Sequence, residues 1–272
     1  MEDRIQVTIE AGVADVRLVR TDKMNALDDA MFQALIDTGE RLKTEKGVRV
    51  IVLSGEGRAF CAGLDMGNFG KMASGERSGG QSSTGESLVT TKRTAGGSNR
   101  AQHAVMVWRE QVVPVIAAIH GVAFGGGFQL ALGADLRFVT ADTRMSVMEI
   151  KWGLVPDMAG LVLMKRLVRD DVARELTYSG RQFSGTEALA MGFATRVCED
   201  PRAEALALAA EIAGKNPHAI RAAKRLLDLA PDADQATILK EESREQTALI
   251  GSPNQVEAVM SNMQKRAAVY AD

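Results

Sequence analysis

The feature that most constrains the fold is a change of pattern near Asp200. Before it, apolar runs such as VRVIVLSG and VVPVIAAIHG indicate buried strands, and they alternate with segments whose apolar residues recur at helical spacing. After it, helix follows helix, with interruptions at Pro217, Pro231 and Pro253. This predicts an α/β core over residues 1–199 and a helical segment over 200–272. Because that segment is rich in apolar residues, we expect it to pack on another subunit or back across the core.

The N-terminal residues predict a β-hairpin with strands at 5–9 and 13–19, since apolar and polar residues alternate around a turn at Ala11 and Gly12. The stretch NALDDAMFQALIDTGERLKTEK then predicts a helix, for which Asn25 is a candidate N-cap. The segments LRFVT and RMSVME predict two further short strands. The stretch SGTEALAMGFATRVC predicts a helix, capped by Ser184 or Thr186, and then a strand.

One long segment, 70–100, is rich in Gly, Ser and Thr and has almost no large apolar side chains. A loop of this length inside a compact domain is typically either functional or disordered. Two interpretations follow: a mobile surface excursion, or a cover that shapes a substrate pocket.

Composition limits the partners and the compartment. The chain has 272 residues, 46% of them hydrophobic, and 33 basic against 35 acidic side chains, which argues against nucleic acid as a partner. The two cysteines, Cys61 and Cys198, suit a reducing compartment and give no metal-ligand spacing. The charged N-terminus lacks an apolar signal-peptide core, and no apolar run approaches the roughly 20 residues of a membrane span. We therefore expect a cytoplasmic protein without a bound metal.

Two glycine-rich turns, GRAFCAGLDMGNF and HGVAFGGGFQLALGAD, each follow an apolar run and lie about 60 residues apart. Each could present a free backbone N–H, and two such donors aimed at one point make an oxyanion hole, in which one donor is worth roughly 3 kcal/mol. The alternative is that these glycines only permit tight turns. The spacing is not a dinucleotide-binding fingerprint, because the G-x-G-x-x-G pattern is absent.

Four segments in order, RTDKMNAL, GRAFCAGLD, PVIAAIHGVAFGGGFQLALGADLRF and MEIKWGLVPDMAG, resemble the crotonase superfamily of enoyl-CoA hydratases and isomerases. With FSGTEALAMGFATRV and the helical C-terminus, the resemblance covers nearly the whole chain. The first motif departs from the family in having Thr21 where proline is common. The resemblance implies an α/β spiral of ββα units followed by helices that build a homotrimer, often a hexamer as a dimer of trimers.

The resemblance also implies the positions of an acyl-CoA site. The oxyanion hole would be the backbone N–H groups of Leu64 and Gly126. Coenzyme A would be part of the substrate, and no separate cofactor is implied. The coenzyme A moiety would lie against Lys23, Asn25, Ala26, Leu27, Ala62 and Asp65. Lys23 suits a phosphate contact, although it could equally be a solvated surface lysine.

Two positions separate the family's reactions. Its hydratases use two glutamates, and here the first position holds Gln129 while the second holds Glu149. An amide cannot transfer a proton at neutral pH, and one acid–base group is worth about 100- to 10,000-fold in rate. Gln129 could still orient a water molecule. On sequence alone, Gln129→Glu is expected to raise any hydratase side activity.

A double-bond isomerase needs only one such group, because one base can remove a proton beside the thioester and return it further along. Glu149 can do this alone. Asp157, eight residues on, occupies a place where the family's dienoyl-CoA isomerases carry a second carboxylate, although it could instead cap the following helix. The favoured reaction is isomerisation of an enoyl-CoA or dienoyl-CoA. The alternatives are hydration of a 2-enoyl-CoA and a non-catalytic acyl-CoA binder.

Three other residues have weaker claims. Cys61 lies in the first glycine-rich turn without a basic neighbour, so a small buried residue is expected, and His120 is expected to be structural. Trp152 could line the acyl pocket or belong to the core.

Overall fold

Two β-sheets organise the part of the chain that the structure, a computed structural model, describes: residues 4–67 and 92–272. Its strands are β1 (Ile5–Glu10), β2 (Val13–Leu18), β3 (Val50–Gly55), β4 (Val115–Ile119), β5 (Val122–Phe124), β6 (Leu136–Val139), β7 (Arg144–Ser146), β8 (Phe183–Ser184) and β9 (Arg196–Val197). The large sheet has the order β1-β2-β3-β4-β6-β9, and the small one has the order β5-β7-β8. In the large sheet only β1 and β2 are antiparallel, which confirms the hairpin.

The helices lie between and after these strands. They are α1 (Asp29–Thr44), α2 (Arg100–Arg109), α3 (Gly126–Leu132), α4 (Gly160–Met164), α5 (Asp170–Ser179), α6 (Gly185–Met191), α7 (Pro201–Ala213), α8 (Pro217–Leu229), α9 (Gln235–Leu249) and α10 (Pro253–Met263). Two 3₁₀ turns, Thr21–Lys23 and Glu149–Trp152, complete the described elements. The last described strand, β9, ends before Asp200, and the four helices α7 to α10 follow it.

The centre of the large sheet, strands β3 and β4, is buried on both faces. Alternate residues of each strand point to opposite faces. In β3, Ile51 and Leu53 join the cluster formed with α1 and α2, whereas Val50 and Val52 face the opposite side. That opposite side is covered by α7, whose Ala205 and Ala209 are fully buried. Small side chains four residues apart let this helix approach the sheet closely. The first helix of the C-terminal segment therefore packs back across the core.

A buried ion pair joins the next helix to the same core. Lys224 of α8 is only 6% exposed, and its Nζ lies 2.7 Å from both carboxylate oxygens of Asp135. Further on, the last residues return to the sheet, where Arg49 donates to the carbonyl of Tyr270 at 3.0 Å. The C-terminal segment is thus anchored on its own core at three separate places.

Two helix starts separate the candidate caps. Helix α1 begins at Asp29 and is capped by Asp28, whose carboxylate accepts from Met31 N–H, so the predicted Asn25 cap is wrong. The reason is that Asn25 adopts a left-handed backbone conformation, φ 57°, in the turn before the helix. Helix α6 is capped by Ser184 and not by Thr186.

Helix α2 had no counterpart in the sequence expectations. It begins at the last residue of the glycine- and serine-rich segment, of which residues 70–91 lie outside the described part of the chain. The missed signal is Asn99 with Gln102, a capping box in which each side chain bonds the other's backbone N–H.

Candidate active site

The two glycine-rich turns lie side by side. Phe60 N–H donates to the His120 carbonyl at 3.0 Å, Cys61 N–H donates to Val122 at 3.1 Å, and Phe124 N–H returns a bond to Cys61 at 3.2 Å. This short ladder brings the turn after β3 next to the turn between β5 and α3. Two segments that are far apart in the sequence therefore meet at one edge of the large sheet.

Two glycines allow this close approach. A Cβ atom on Gly63 would lie 2.5 Å from the Phe124 carbonyl oxygen, and Gly63 also has φ +87°. A Cβ on Gly127 would lie 2.3 Å from the Cys61 carbonyl oxygen. Both distances are below any real contact, so a side chain at either position would push the turns apart. Here the glycines do more than permit tight turns.

The N–H groups of Leu64 and Gly126 donate to no acceptor within residues 4–67 and 92–272. On one side of Leu64, Leu27 N–H donates to Gly63 at 2.8 Å, and on the other Asp65 N–H donates to Leu27 at 3.1 Å, which fixes the backbone between them. The Gly126 N–H is the first of α3 and has no intrahelical acceptor. Both residues line one cavity of about 940 Å³. The structure thus brings the two predicted donors to the same cavity.

Glu149 also lines this cavity and is only 9% exposed. Its Oε1 accepts a hydrogen bond from Gln129 at 2.7 Å, whereas its buried Oε2 has no partner in the described part of the chain. Burial raises the pKa of Glu149, and the nearby Asp157 raises it further, while its own backbone N–H and the Gln129 amide oppose the rise. A carboxyl that lines a cavity and has a raised pKa and one unpartnered oxygen has the properties of a general base.

Gln129 lies behind Glu149 and not in the cavity wall. It is fully buried, and its Oε1 accepts from the N–H groups of Met158 and Gly160, at 2.9 Å each. Both lone pairs of that oxygen are therefore occupied by backbone.

Asp157 lines the cavity as well, and its side chain does not cap α4. That helix begins after Ala159, a residue in the left-handed conformation at φ 68°, and has no side-chain cap. Desolvation in the cavity raises the pKa of Asp157, with its own backbone N–H opposing. The structure therefore brings a second carboxyl to the same cavity as Glu149.

The positions that the resemblance assigns to coenzyme A divide into two groups. Four of them line the cavity: Lys23, Ala26, Ala62 and Asp65. The other two, Asn25 and Leu27, are fully buried. The Asn25 amide donates to the carbonyls of Glu56 and Ala59, at 3.0 and 2.9 Å, so its side chain holds the turn together and is not exposed to the cavity.

The sequence reasoning missed Arg20. Its guanidinium donates to the Ala26 carbonyl at 3.0 Å and to the Asp65 carboxylate at 2.6 Å. Burial raises the pKa of Asp65, but hydrogen bonds from Gly67 N–H and Arg20 outweigh it and lower that pKa overall. The arginine thus keeps Asp65 ionised and fixes the turn beside the cavity. Its position in RTDKMNAL was the available signal.

The weaker candidates are now placed. Cys61 is fully buried, and burial raises the pKa of its thiol to about 12, so it is an inert core residue. The His120 ring contacts the Gly57 carbonyl at 2.8 Å, a structural role. Trp152 lines the cavity. No group of three metal-ligating side chains occurs within the described ranges, and no helix in them is long and apolar enough to cross a membrane.

Two free backbone donors and a buried carboxyl at one cavity are groups with which enzymes stabilise an oxyanion and transfer a proton. The family model described as "Enoyl-CoA hydratase/isomerase" matches residues 8–272. The chain therefore belongs to the enoyl-CoA hydratase/isomerase family, which confirms the resemblance and its α/β crotonase fold.

Individual relatives carry different activities in their names. The chain is 28% identical to the mitochondrial Δ(3,5)-Δ(2,4)-dienoyl-CoA isomerase of Mus musculus, over 97% of this chain and 80% of the relative. It is 29% identical to the mitochondrial methylglutaconyl-CoA hydratase of Mus musculus, over 95% and 79%. The crystal structure of an enoyl-CoA hydratase from Bacillus anthracis superposes with a TM-score of 0.85 at 25% identity, covering 98% of this chain and 99% of that one.

Proposed function

We propose that this protein moves a carbon–carbon double bond of an enoyl-CoA or dienoyl-CoA, with Glu149 as the acid–base group. One observation carries the proposal. The first of the two positions at which the family's hydratases place glutamates holds the Gln129 amide, which is buried behind the cavity with both lone pairs of its oxygen occupied. Glu149 remains as the buried carboxyl at the two free N–H donors.

The reaction on a 3-enoyl-CoA would use the groups as follows. The ionised Oε2 of Glu149 removes a proton from C2, the electron pair moves into the thioester carbonyl, and the resulting oxyanion accepts hydrogen bonds from Leu64 N–H and Gly126 N–H. The protonated Glu149 then delivers the proton to C4. The electrons return from the oxygen, and the double bond lies between C2 and C3. One proton leaves and one is returned, so no co-reactant is needed.

Asp157 supports a variant of this proposal. In a dienoyl substrate, the carbon that loses a proton and the carbon that gains one are further apart than in an enoyl substrate. Two carboxyls are better suited to this than one. Asp157 lines the same cavity, and the mouse dienoyl-CoA isomerase is among the relatives.

Hydration is the second candidate function. The name of the methylglutaconyl-CoA hydratase favours it, and so does the presence of two carboxyls able to handle water.

We place coenzyme A against Lys23, Ala26, Ala62 and Asp65, where the cavity wall is formed by the RTDKMNAL and CAGLD segments. The ammonium of Lys23 is suited to a phosphate contact.

The test offers purified protein three substrates: a 3-enoyl-CoA, a 3,5-dienoyl-CoA and crotonyl-CoA. We expect isomerisation of at least one of the first two, followed by the absorbance of the conjugated product. Glu149→Gln is expected to lower kcat by about 100- to 10,000-fold, the worth of one general acid–base group. Asp157→Asn should spare turnover of the 3-enoyl substrate and abolish turnover of the dienoyl one.

Two controls separate the alternatives. Exchange of the α-hydrogen of a saturated acyl-CoA with deuterium requires an enolate, so a mere binder would not catalyse it. Rapid hydration of crotonyl-CoA without isomerisation, or Glu149→Gln with near wild-type kcat, would contradict the proposal.

A further inference from the structure

We propose that Gln129 is a positioning residue whose single amide holds both Glu149 and the backbone of residues 158–160, and so sets the relative position of the two carboxyls. For the catalytic consequence, this inference rests on the function proposed above. The three hydrogen bonds themselves do not depend on it.

The orientation of the amide is fixed by its neighbours. Two N–H donors, of Met158 and Gly160, lie 2.9 Å from Oε1, so an acceptor must occupy that position. The NH₂ group is thereby turned toward Oε1 of Glu149, at 2.7 Å. Gln129 is fully buried, so water cannot replace any of these bonds. A buried backbone N–H without an acceptor is costly, and both would lose theirs if the amide moved.

The same amide connects the two carboxyl-bearing segments. Glu149 lies on the 3₁₀ turn Glu149–Trp152. Asp157 directly precedes Met158, whose N–H donates to Gln129. Helix α4 starts tightly against the amide, because a Cβ on Gly160 would lie 2.6 Å from Oε1 of Gln129. Any displacement of Gln129 would therefore move both the free oxygen of Glu149 and the backbone that carries Asp157.

A carboxylate in place of the amide would change the protonation of Glu149. In Gln129→Glu, one oxygen would still accept from Met158 and Gly160, and the other would face an oxygen of Glu149 at hydrogen-bonding distance. Two ionised carboxylates cannot stay that close in a buried site, so the pair must share one proton. The bond that now favours the ionised form of Glu149 would be replaced by one that opposes it. These contacts reverse the expectation that Gln129→Glu raises hydratase activity.

The experiment compares three proteins: the wild type, Gln129→Glu, and the double variant Gln129→Glu/Glu149→Gln, in which the amide and the carboxyl exchange places. Thermal unfolding is measured from pH 5 to pH 8, together with the pH profile of α-deuterium exchange. Sharing a proton raises the second pKa of the pair above its value in the unfolded chain, so stability is lost as the pH rises. We expect the deficit in Tm of Gln129→Glu to grow with pH, and the double variant to show the pH dependence of the wild type.

In the exchange assay, the acid limb of the pH profile of Gln129→Glu should lie at least one pH unit above that of the wild type. At a given pH on that limb, this corresponds to a rate about tenfold lower. An unmoved limb with a pH-independent Tm difference would overturn the inference, and so would a gain of hydration in Gln129→Glu. If Gln129→Glu fails to fold while the double variant folds, the inference is supported; if both fail alike, it is wrong. The Tm measurement needs no turnover. A wild type without exchange activity would therefore refute the proposed function, while the Tm comparison would still test the hydrogen bonds of the Gln129 amide.

Discussion

Gly127→Ala tests the contact between the two turns most directly. The new Cβ would start 2.3 Å from the Cys61 carbonyl oxygen, against about 3.4 Å for an ordinary contact, so the start of α3 must shift by about 1 Å. Alanine favours a helix over glycine by about 1 kcal/mol, which taken alone predicts a more stable protein. The carbonyl is backbone and cannot rotate away as a side chain would, so we expect the steric effect to dominate.

The shift separates the N–H of Gly126 from that of Leu64. A displacement of about 1 Å can cost roughly 100-fold in rate, and loss of one oxyanion donor costs about 100- to 1000-fold. Under the proposed function the two donors bind the enolate more strongly than the ground-state thioester, and we therefore expect kcat to fall about 100-fold.

The assay is steady-state isomerisation together with α-deuterium exchange, and Gly214→Ala is the matched control. Gly214 follows α7 with φ −79°, and a Cβ there would meet its first neighbour at 3.5 Å, an ordinary contact. The control should retain wild-type kcat. If Gly127→Ala stays within threefold of the wild type, the two turns do not form a common oxyanion site.

Two further predictions concern pH and assembly. The pKa of Glu149 is raised above 4.5 by burial and by Asp157, so the acid limb of the pH profile of deuterium exchange should lie above that pH. Asp157→Asn should move this limb downward. An unmoved limb would show that Asp157 does not raise the pKa of Glu149. The resemblance predicts a trimer or hexamer, and the C-terminal helices carry the exposed apolar residues Ile250, Val259 and Met263. Light scattering should therefore give a mass of three or six chains, and Met263→Glu should lower that mass. A monomeric wild type would contradict this prediction.

The sequence predicted the elements whose burial is complete. Strand β3 and strand β4 are apolar at every or nearly every position because both faces of the sheet are covered, and a continuous apolar run is the pattern of such strands. The caps were less predictable. Asn25 and Asp28 are both good capping residues. What separates them is the left-handed backbone of Asn25 and the bonds of its amide to two carbonyls, which the local sequence does not determine.

The site was predictable where main-chain atoms form it. Leu64 and Gly126 were expected as donors from the resemblance of the glycine-rich turns to the crotonase superfamily, and the structure brings both to one cavity. Side-chain roles were harder. A motif gives the positions of Asn25 and Leu27 in the chain, but their burial depends on how the turn packs against residues 56–61, which local sequence does not determine.

Gln129 shows why a residue's role is set by its partners as well as by its type. Compared with glutamate at the same position, glutamine lacks a proton to transfer, and on that ground alone it is a loss of function. Its contacts give the amide a use that a carboxylate lacks: an acceptor for two backbone N–H groups on one side and a donor to Glu149 on the other. An ionised glutamate offers acceptors on both sides and would repel the carboxyl it faces. If Glu149 is the sole base, an amide at position 129 favours its ionised state at neutral pH, and this supports one-base isomerisation over two-base hydration.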